Sequence, residues 1–337
     1  MLQDIVIRKK LALGGAVIEH IMTQFVLSFN SVAPFFLIMF FGWLAVRLGL
    51  VGDPFLAGLN KLAFTYFFPA TLFLSIYQAD LSYAFDPALV GYFVVISVSG
   101  YLLSWAIGAR FLNKQQLGVF VQAANRSNYV VLAMAIIVFL LGDYALPKTA
   151  LMVPFVVTVN NVMTTLVFTV TGMDGGISGI ARVKGVVWGI LKLPMVLAVL
   201  LGLLANVMGL SLPVTLDRSI SSIANMAAPA VLLCVGGVLR VEKVRRHFKL
   251  AAVSMVIKNM ILPIGFIVPA VLLGFRGVEL AILSMVALSP TGSMTYAVAA
   301  EMGGDRDLAA SCLVFSNGLA IFTIVPALTV LRVLGLF

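Results

Sequence analysis

Long apolar runs separated by short polar connections dominate the chain. The runs reach 20 residues or more and do not alternate, so the pattern predicts membrane-spanning α-helices rather than strands. The connections carry turn residues such as Asp86-Pro87 and Gly303-Gly304-Asp305. The ten candidate spans, numbered in chain order, cover residues 32–49, 57–78, 88–111, 117–140, 147–171, 186–209, 219–240, 248–274, 278–300 and 307–335.

Composition agrees with an all-α integral membrane protein. Of the 337 residues, 62% are hydrophobic and 10% are charged, whereas soluble domains have about 25% charged residues. Ten spans use up this length, so we expect no separate catalytic or nucleic-acid-binding domain. The net charge of +9 is then explained by basic cytoplasmic loops that orient the helices.

The basic loop at residues 240–249 fixes the predicted orientation. With this loop in the cytoplasm, most Lys and Arg lie on that side and both termini lie on the non-cytoplasmic side of a cytoplasmic (inner) membrane. Residues 1–27 fit less well. They are interpreted as an N-terminal extension or an interfacial helix, with Met22 as an alternative start.

An internal repeat indicates the topology. Residues 34–50 and 194–210 share seven of 17 positions at an offset of 160, including Gly42/Gly202, and Pro69 pairs with Pro229 at the same offset. An offset of five spans inverts the second copy. The sequence therefore predicts a five-plus-five inverted repeat, which is typical of secondary transporters. Its halves are residues 28–172 and 186–337, joined by a cytoplasmic loop at 173–185.

Two segments predict broken helices that cross in the fourth and ninth spans, within residues 124–130 and 287–293. In the ninth span a proline interrupts the helix among hydroxyl side chains. At the offset of 160, Ser289-Pro290 falls on Tyr129-Val130, directly after Asn125-Arg126-Ser127-Asn128, which is the most polar stretch within any span. The candidate substrate-binding residues here are Asn125, Arg126, Asn128, Ser289, Pro290, Thr291 and Ser293.

Arg126 has two interpretations. A charge inside a span is a candidate for function, and its planar guanidinium suits a carboxylate. Alternatively, the side chain extends to the cytoplasmic interface as an anchor. Asn160 and Asn317 occupy roughly corresponding positions in the fifth and tenth spans, as further substrate ligands or as helix–helix contacts. Lys258, in the middle of the eighth span, is a candidate for proton coupling or for a structural pair.

Other chemistry lacks support in the sequence. Both cysteines lie in apolar runs and the two histidines lie near basic loops, so we expect no metal site and no cofactor. No nucleotide-binding or hydrolase motif occurs, and we expect no enzyme activity. Spans 3–5 and 8–10 have no acidic residue at mid-span, which argues against a cation site.

The chain resembles the auxin efflux carrier family from about residue 28 onwards. The likeness rests on the order and spacing of several motifs, which are the Pro34…Gly42 span, Phe68-Pro69-Ala70-Thr71-Leu72-Phe73, Arg126-Ser127-Asn128-Tyr129-Val130-Val131-Leu132-Ala133, Lys192-Leu193-Pro194, Ala228-Pro229-Ala230, Lys258-Asn259…Pro263 and Ser289-Pro290…Tyr296. The resemblance implies a scaffold of spans 1, 2, 6 and 7, a mobile group of spans 3–5 and 8–10, and elevator-like movement. Many relatives carry Gly or Pro after the fourth-span Asn, where this chain has Val130, Val131 and Met134.

The sequence thus predicts a secondary carrier for a small organic anion, such as a mono- or dicarboxylate. Its expected partners are this substrate and the lipid bilayer, with a homodimer through spans 1, 2, 6 and 7, and no nucleic acid. Two alternatives remain. One is a non-transporting receptor or regulator on a transporter scaffold, and the other is a cation/proton exchanger.

Overall fold

The computed structural model describes residues 2–171, 188–189, 191–238, 248–292 and 294–337, and these residues form helices without a β-strand. Single turns at Leu81–Ala84 and Asp143–Ala145 precede two of the long helices. The helices are α1 (Leu2–Arg47), α2 (Asp53–Tyr77), α3 (Pro87–Gly108), α4 (Lys114–Asn125), α5 (Tyr129–Leu141), α6 (Leu146–Val170), α7 (Pro194–Val207), α8 (Val214–Val238), α9 (Phe248–Leu272), α10 (Gly277–Leu288), α11 (Met294–Glu301) and α12 (Arg306–Val333).

Seven helical segments among the described residues are long and apolar enough to cross a membrane. They contain α1, α2, α3, α6, α8, α9 and α12. Three shorter apolar helices, α5, α7 and α10, fall in the predicted fourth, sixth and ninth spans. The chain is therefore a multi-pass, nearly all-helical membrane protein.

Helix α1 extends further toward the N-terminus than the sequence predicts. It is continuous from Leu2 to Arg47, and its apolar part suitable for a span begins at Val17 rather than at residue 32. There is no interruption near residue 27, where the sequence predicts a boundary. Isolated polar residues do not stop a helix whose backbone hydrogen bonds are complete, and Glu19 and His20 lie within α1.

Turn residues begin the helices where the sequence predicts them. The Asp86 carboxylate accepts hydrogen bonds from the N–H groups of Ala88 and Leu89, and Pro87 occupies the first turn of α3. Asp305 likewise accepts from the N–H of Leu308 at the start of α12. These side chains satisfy amides that have no partner within the helix.

Two helix crossings bring backbones into direct contact. Helix α1 packs on the second half of α8, and α2 packs on α7. At the first crossing, a Cβ on Gly42 would collide with the carbonyl oxygen of Leu233, and at the second a Cβ on Gly202 would collide with that of Phe73. Both glycines are therefore required for these close approaches.

Three helices contain a wide π-turn, at Ala63–Phe67, Tyr129–Ala133 and Ile257–Ile261. Pro69 and Pro263 follow the first and third of these turns. Proline has no N–H and collides with the carbonyl four residues earlier, so the turn before it widens. The second π-turn has no proline and directly follows a helix break.

Helices α5 and α10 occupy the interior. Every residue of α10 from Val278 to Leu288 except Glu279 is buried, whereas α1, α7 and α9 expose many large apolar side chains. At the start of α10, Glu279 forms an ion pair with the buried Lys148 of α6. The Lys148 ammonium also lies 4.4 Å from the ring centre of Tyr83. Lys148 therefore links α6 to α10 through the ion pair and to the Tyr83 ring through a cation–π contact.

Candidate functional site

The two predicted helix breaks are present and lie against each other. Helix α4 ends at Asn125 and α5 begins at Tyr129, while α10 ends at Leu288 and α11 begins at Met294. Between them, Ser127 and Thr291 pair as an isolated antiparallel bridge. The N–H of Asn128 donates to the Pro290 carbonyl at 2.8 Å, and the N–H of Gly292 donates to the Arg126 carbonyl at 3.0 Å.

Side chains complete the hydrogen bonding around this bridge. The Thr291 hydroxyl donates to the Ala123 carbonyl at 2.7 Å, and the Thr291 N–H donates to the Ser316 hydroxyl of α12 at 2.8 Å. A broken helix leaves carbonyls and amides without intrahelical partners. Here the opposite segment and α12 supply several of those partners, so the break is held in place by specific contacts.

A cavity lies beside the crossing point. It is small, with room for about one water-sized sphere. Five segments contribute walls, which are α3, the end of α4 with its break, α6, α9 and α10. The lining residues are Phe93, Ser97, Tyr101, Asn125, Ser127, Val156, Asn160, Lys258, Leu262, Phe266, Val286 and Ala287.

Arg126 is buried between two cavity-lining residues, Asn125 and Ser127. Its side chain is 7% exposed, so it does not reach the surface as an anchor would. One terminal nitrogen donates to the Asn161 side-chain oxygen at 3.1 Å, and the other has no hydrogen-bond partner among the described residues. Among these residues no carboxylate pairs with it, since the ion pair found there is Lys148–Glu279. A buried guanidinium in this state favours a negatively charged ligand.

Lys258 is a second buried cation at the cavity. It lies in the third π-turn, is 1% exposed and lines the cavity wall. The described residues give it neither a hydrogen bond nor an ion pair. The carboxamide of its neighbour Asn259 is also buried without a partner there.

The structure divides the remaining candidate residues. Asn160 lines the cavity and accepts a hydrogen bond from the Tyr101 hydroxyl at 2.9 Å. Asn128 and Pro290 contribute backbone groups to the bridge. Thr291 uses its hydroxyl within the protein.

Ser289 and Asn317 lie outside the cavity walls. The Ser289 hydroxyl is buried without a partner among the described residues, and the Asn317 amide donates to the Leu313 carbonyl, one turn earlier. Ser293 lies outside the described residues. No group of three metal-binding side chains occurs in the part of the chain that the structure describes.

Sequence reasoning missed one wall of the cavity. On α3, Ser97, Gly100, Tyr101 and Ser104 lie on one buried helix face. Asn125 donates to the Ser104 hydroxyl at 3.0 Å, and a Cβ on Gly100 would lie 2.8 Å from the Asn125 side-chain oxygen. The spacing of small and polar residues at intervals of three and four in an apolar span is the signal that could have identified this face.

Comparison with known proteins agrees with this architecture. A family model described as "Membrane transport protein" matches residues 27–177 and 180–327. A protein of Methanothermobacter thermautotrophicus named "Uncharacterized transporter" is 24% identical over 304 residues, covering 88% of this chain and 96% of its own length. Because the family model covers most of the chain, the protein belongs to the membrane transport proteins of the auxin efflux carrier family.

Proposed function

We propose that this protein is a secondary carrier that moves a small organic anion across the cytoplasmic membrane. The observation that carries the proposal is Arg126, a buried guanidinium with an unused terminal nitrogen at a helix crossing. Its planar fork can hold a carboxylate through two charge-assisted hydrogen bonds. A positive charge that lacks a protein partner inside a membrane protein favours an anionic ligand.

The surroundings of Arg126 suit a small polar ligand. Asn125, Ser127, Tyr101 and Asn160 provide neutral hydrogen-bonding groups around the cavity, and apolar side chains complete its walls. Helices α5 and α11 begin at the crossing, and helix N-termini carry free amides and partial positive charge. We assign Asn125, Arg126 and Asn160 to direct binding, with Asn128, Ser289, Thr291, Ser293 and Asn317 as supporting positions.

Transport requires a larger opening than this cavity provides. Space for about one water molecule cannot hold a carboxylate with its carbon skeleton. We propose that α3–α6 and α9–α12 move together as an elevator against α1, α2, α7 and α8. Helices α1, α2, α7 and α8 would remain fixed. The close glycine contacts of α1 with α8 and of α2 with α7 leave little freedom for movement within each pair.

Inverted symmetry supports the same mechanism. Gly42 contacts Leu233, and Gly202 contacts Phe73; subtracting 160 from 202 and 233 gives 42 and 73. The two crossings are thus equivalent under the sequence repeat. With the three shorter apolar helices added to the seven long ones, the proposed count is ten spans in two inverted halves, 28–172 and 186–337.

Orientation and assembly complete the proposal. Both termini are placed on the non-cytoplasmic side because the basic loops then lie in the cytoplasm. A homodimer would use the first, second, sixth and seventh spans, where exposed side chains such as Phe40, Phe41 and Leu201 form apolar surfaces. Chemical labelling of single cysteines introduced near each terminus in intact cells tests the orientation.

The function is tested by binding and by flux. Purified protein is screened by thermal shift against mono- and dicarboxylates, and one at 100 times its Kd should stabilise the fold by about 2.7 kcal/mol. The best ligand is then followed into proteoliposomes as a radiolabel. Binding with uptake supports the carrier. Binding without uptake identifies a receptor, and stabilisation by Na⁺ but by no carboxylate would indicate the exchanger and overturn the proposal.

A further inference from the structure

Lys258 occupies an unusual position for a lysine. The π-turn before Pro263 places three consecutive residues, Ile257, Lys258 and Asn259, in the buried interior. A π-turn adds a residue to the helical turn and often occurs at functional sites. The Lys258 side chain faces the cavity rather than the lipid, although nothing in the described structure neutralises it.

The charged and titratable groups on the helices around α9 offer no counter-ion. Helix α3 presents Tyr101, which lines the cavity, and the break after α4 holds Arg126, which is itself a cation. On α10 the acidic group is Glu279, engaged in its ion pair. The titratable group in the buried face of α12 toward α9 is Cys312. Among the described residues, Lys258 lines the cavity, Arg126 lies in the break between two lining residues, and no carboxylate lines the cavity.

These two cations differ in one respect. A guanidinium keeps its proton under all ordinary conditions, whereas a lysine can lose its proton and become a neutral amine. Burying two like charges without a counter-charge is costly. Without a bound anion, the protein is therefore more stable when the Lys258 amine is neutral. A bound anion supplies the missing negative charge and so stabilises the protonated amine.

We propose that Lys258 couples the carrier to protons, taking up one proton with each organic anion. This inference rests on the proposed anion carrier and adds its driving ion. A proton from the entry side bonds to the lone pair of the Lys258 Nζ as the anion binds. On the other side the N–H bond breaks and the proton leaves with the anion, while no bond within the anion changes. For a monoanion the transported pair is electrically neutral.

Proton uptake on binding is the direct test. Pyruvate, lactate and acetate are suitable probes because each is a monoanion near neutral pH and cannot itself supply the proton. The probe with the largest thermal shift is added to purified protein in weakly buffered solution containing a pH-sensitive dye. We expect up to one proton taken up per anion bound, and affinity that falls as pH rises, toward tenfold per pH unit once the free amine is neutral.

Variants assign the proton to a residue. Lys258→Met and Lys258→Gln should bind with no proton uptake, and their affinity should not depend on pH in this range. Lys249→Met is the matched control, because Lys249 lies exposed near the start of the same helix, and it should behave as the wild type. If both Lys258 variants fail to fold or bind, the number of protons that the wild-type protein takes up per bound anion still tests whether binding is coupled to protons.

Different failures have different meanings. Saturable binding of a probe without proton uptake between about pH 6 and pH 9 would overturn the coupling role and leave Lys258 as a permanently charged anion ligand, with the carrier intact. Proton uptake that persists unchanged in a folded, binding Lys258→Gln protein would also overturn it. No binding by any carboxylate would remove the proposed carrier, and the coupling with it.

Discussion

The two helix breaks form one backbone bridge from very different sequences. The break between α10 and α11 contains Pro290 and Gly292, residue types that disfavour a continuous helix, although Pro34, Pro154 and Pro326 lie inside unbroken helices. The break between α4 and α5 contains neither, and consists of Arg126, Ser127 and Asn128. Both segments nevertheless leave helical geometry and exchange two backbone hydrogen bonds.

The difference shows how one break can stabilise the other. Pro290 disfavours helical geometry in the second segment, and its carbonyl accepts from the N–H of Asn128. The first segment becomes extended because that partner and the Thr291 hydroxyl satisfy the backbone groups that breaking a helix exposes. Because the first segment needs neither Pro nor Gly, its positions are available for functional side chains, and one of them is the buried Arg126.

The largest expected effect tests that chemical role. Arg126→Lys and Arg126→Ala should both weaken anion binding, by about ten- to 150-fold, since a lost charge-assisted contact is worth roughly 1.5–3 kcal/mol. Lysine keeps the charge but not the planar pair of donors. Affinity is measured by titration in detergent, with Arg110→Lys, at an exposed position just after the end of α3, as control. An anchoring role predicts the opposite, namely normal affinity in the lysine variant.

The next largest effect tests the mutual support of the breaks. In Thr291→Val the hydroxyl that donates to the Ala123 carbonyl is lost and a buried carbonyl stays unpaired, which should cost about 1–3 kcal/mol of stability. Ser127→Ala, directly across the bridge, removes a hydroxyl with no partner among the described residues and should leave stability nearly unchanged. Thermal unfolding of both proteins without ligand measures the difference. Equal losses in the two variants would show that the Thr291 contact does not hold the break.

A third effect concerns the fit of α3 against the first break. Gly100→Ala should displace the Asn125 side chain, because the new Cβ would lie 2.8 Å from its oxygen, and overpacking of this kind costs about 1–3 kcal/mol. Gly91→Ala is the matched control in the same helix, since open space surrounds its Cβ position. The control should be neutral or stabilising by helix propensity, which favours Ala over Gly by about 1 kcal/mol. Similar melting temperatures for the two variants would contradict the tight contact.

Sequence reasoning located the breaks more accurately than the cavity beside them. Pro290 and the polar stretch from Asn125 to Asn128 are local signals, and the offset of 160 places Pro290 on Val130, two residues after that stretch. The cavity depends on which face of each neighbouring helix turns inward. The spacing of Ser97, Gly100, Tyr101 and Ser104 could have indicated a buried face of α3, but that this face forms a cavity wall follows only from α3 lying against α4.

The burial and pairing of Lys148 were missed for a related reason. The sequence places Lys148 at the non-cytoplasmic start of the fifth predicted span, 147–171, and the structure buries it in α6 beside Glu279. Its partner is 131 residues away along the chain. An ion pair between distant segments leaves no pattern in either segment, so only the folded arrangement shows it.

The smallest expected effect gives the sharpest test of the comparison. If the bridge rather than the proline holds the second break, Pro290→Ala should keep the Pro290 carbonyl bonded to Asn128 and change stability by less than about 1 kcal/mol, because the first break already exists without proline. Should the proline be the cause, alanine would let α10 continue into α11, withdraw the acceptor from Asn128 and destabilise both segments. Hydrogen exchange of the Asn128 and Gly292 amides separates the two outcomes. Continued protection of both amides supports mutual stabilisation, and fast exchange in the folded variant would assign the break to Pro290 alone.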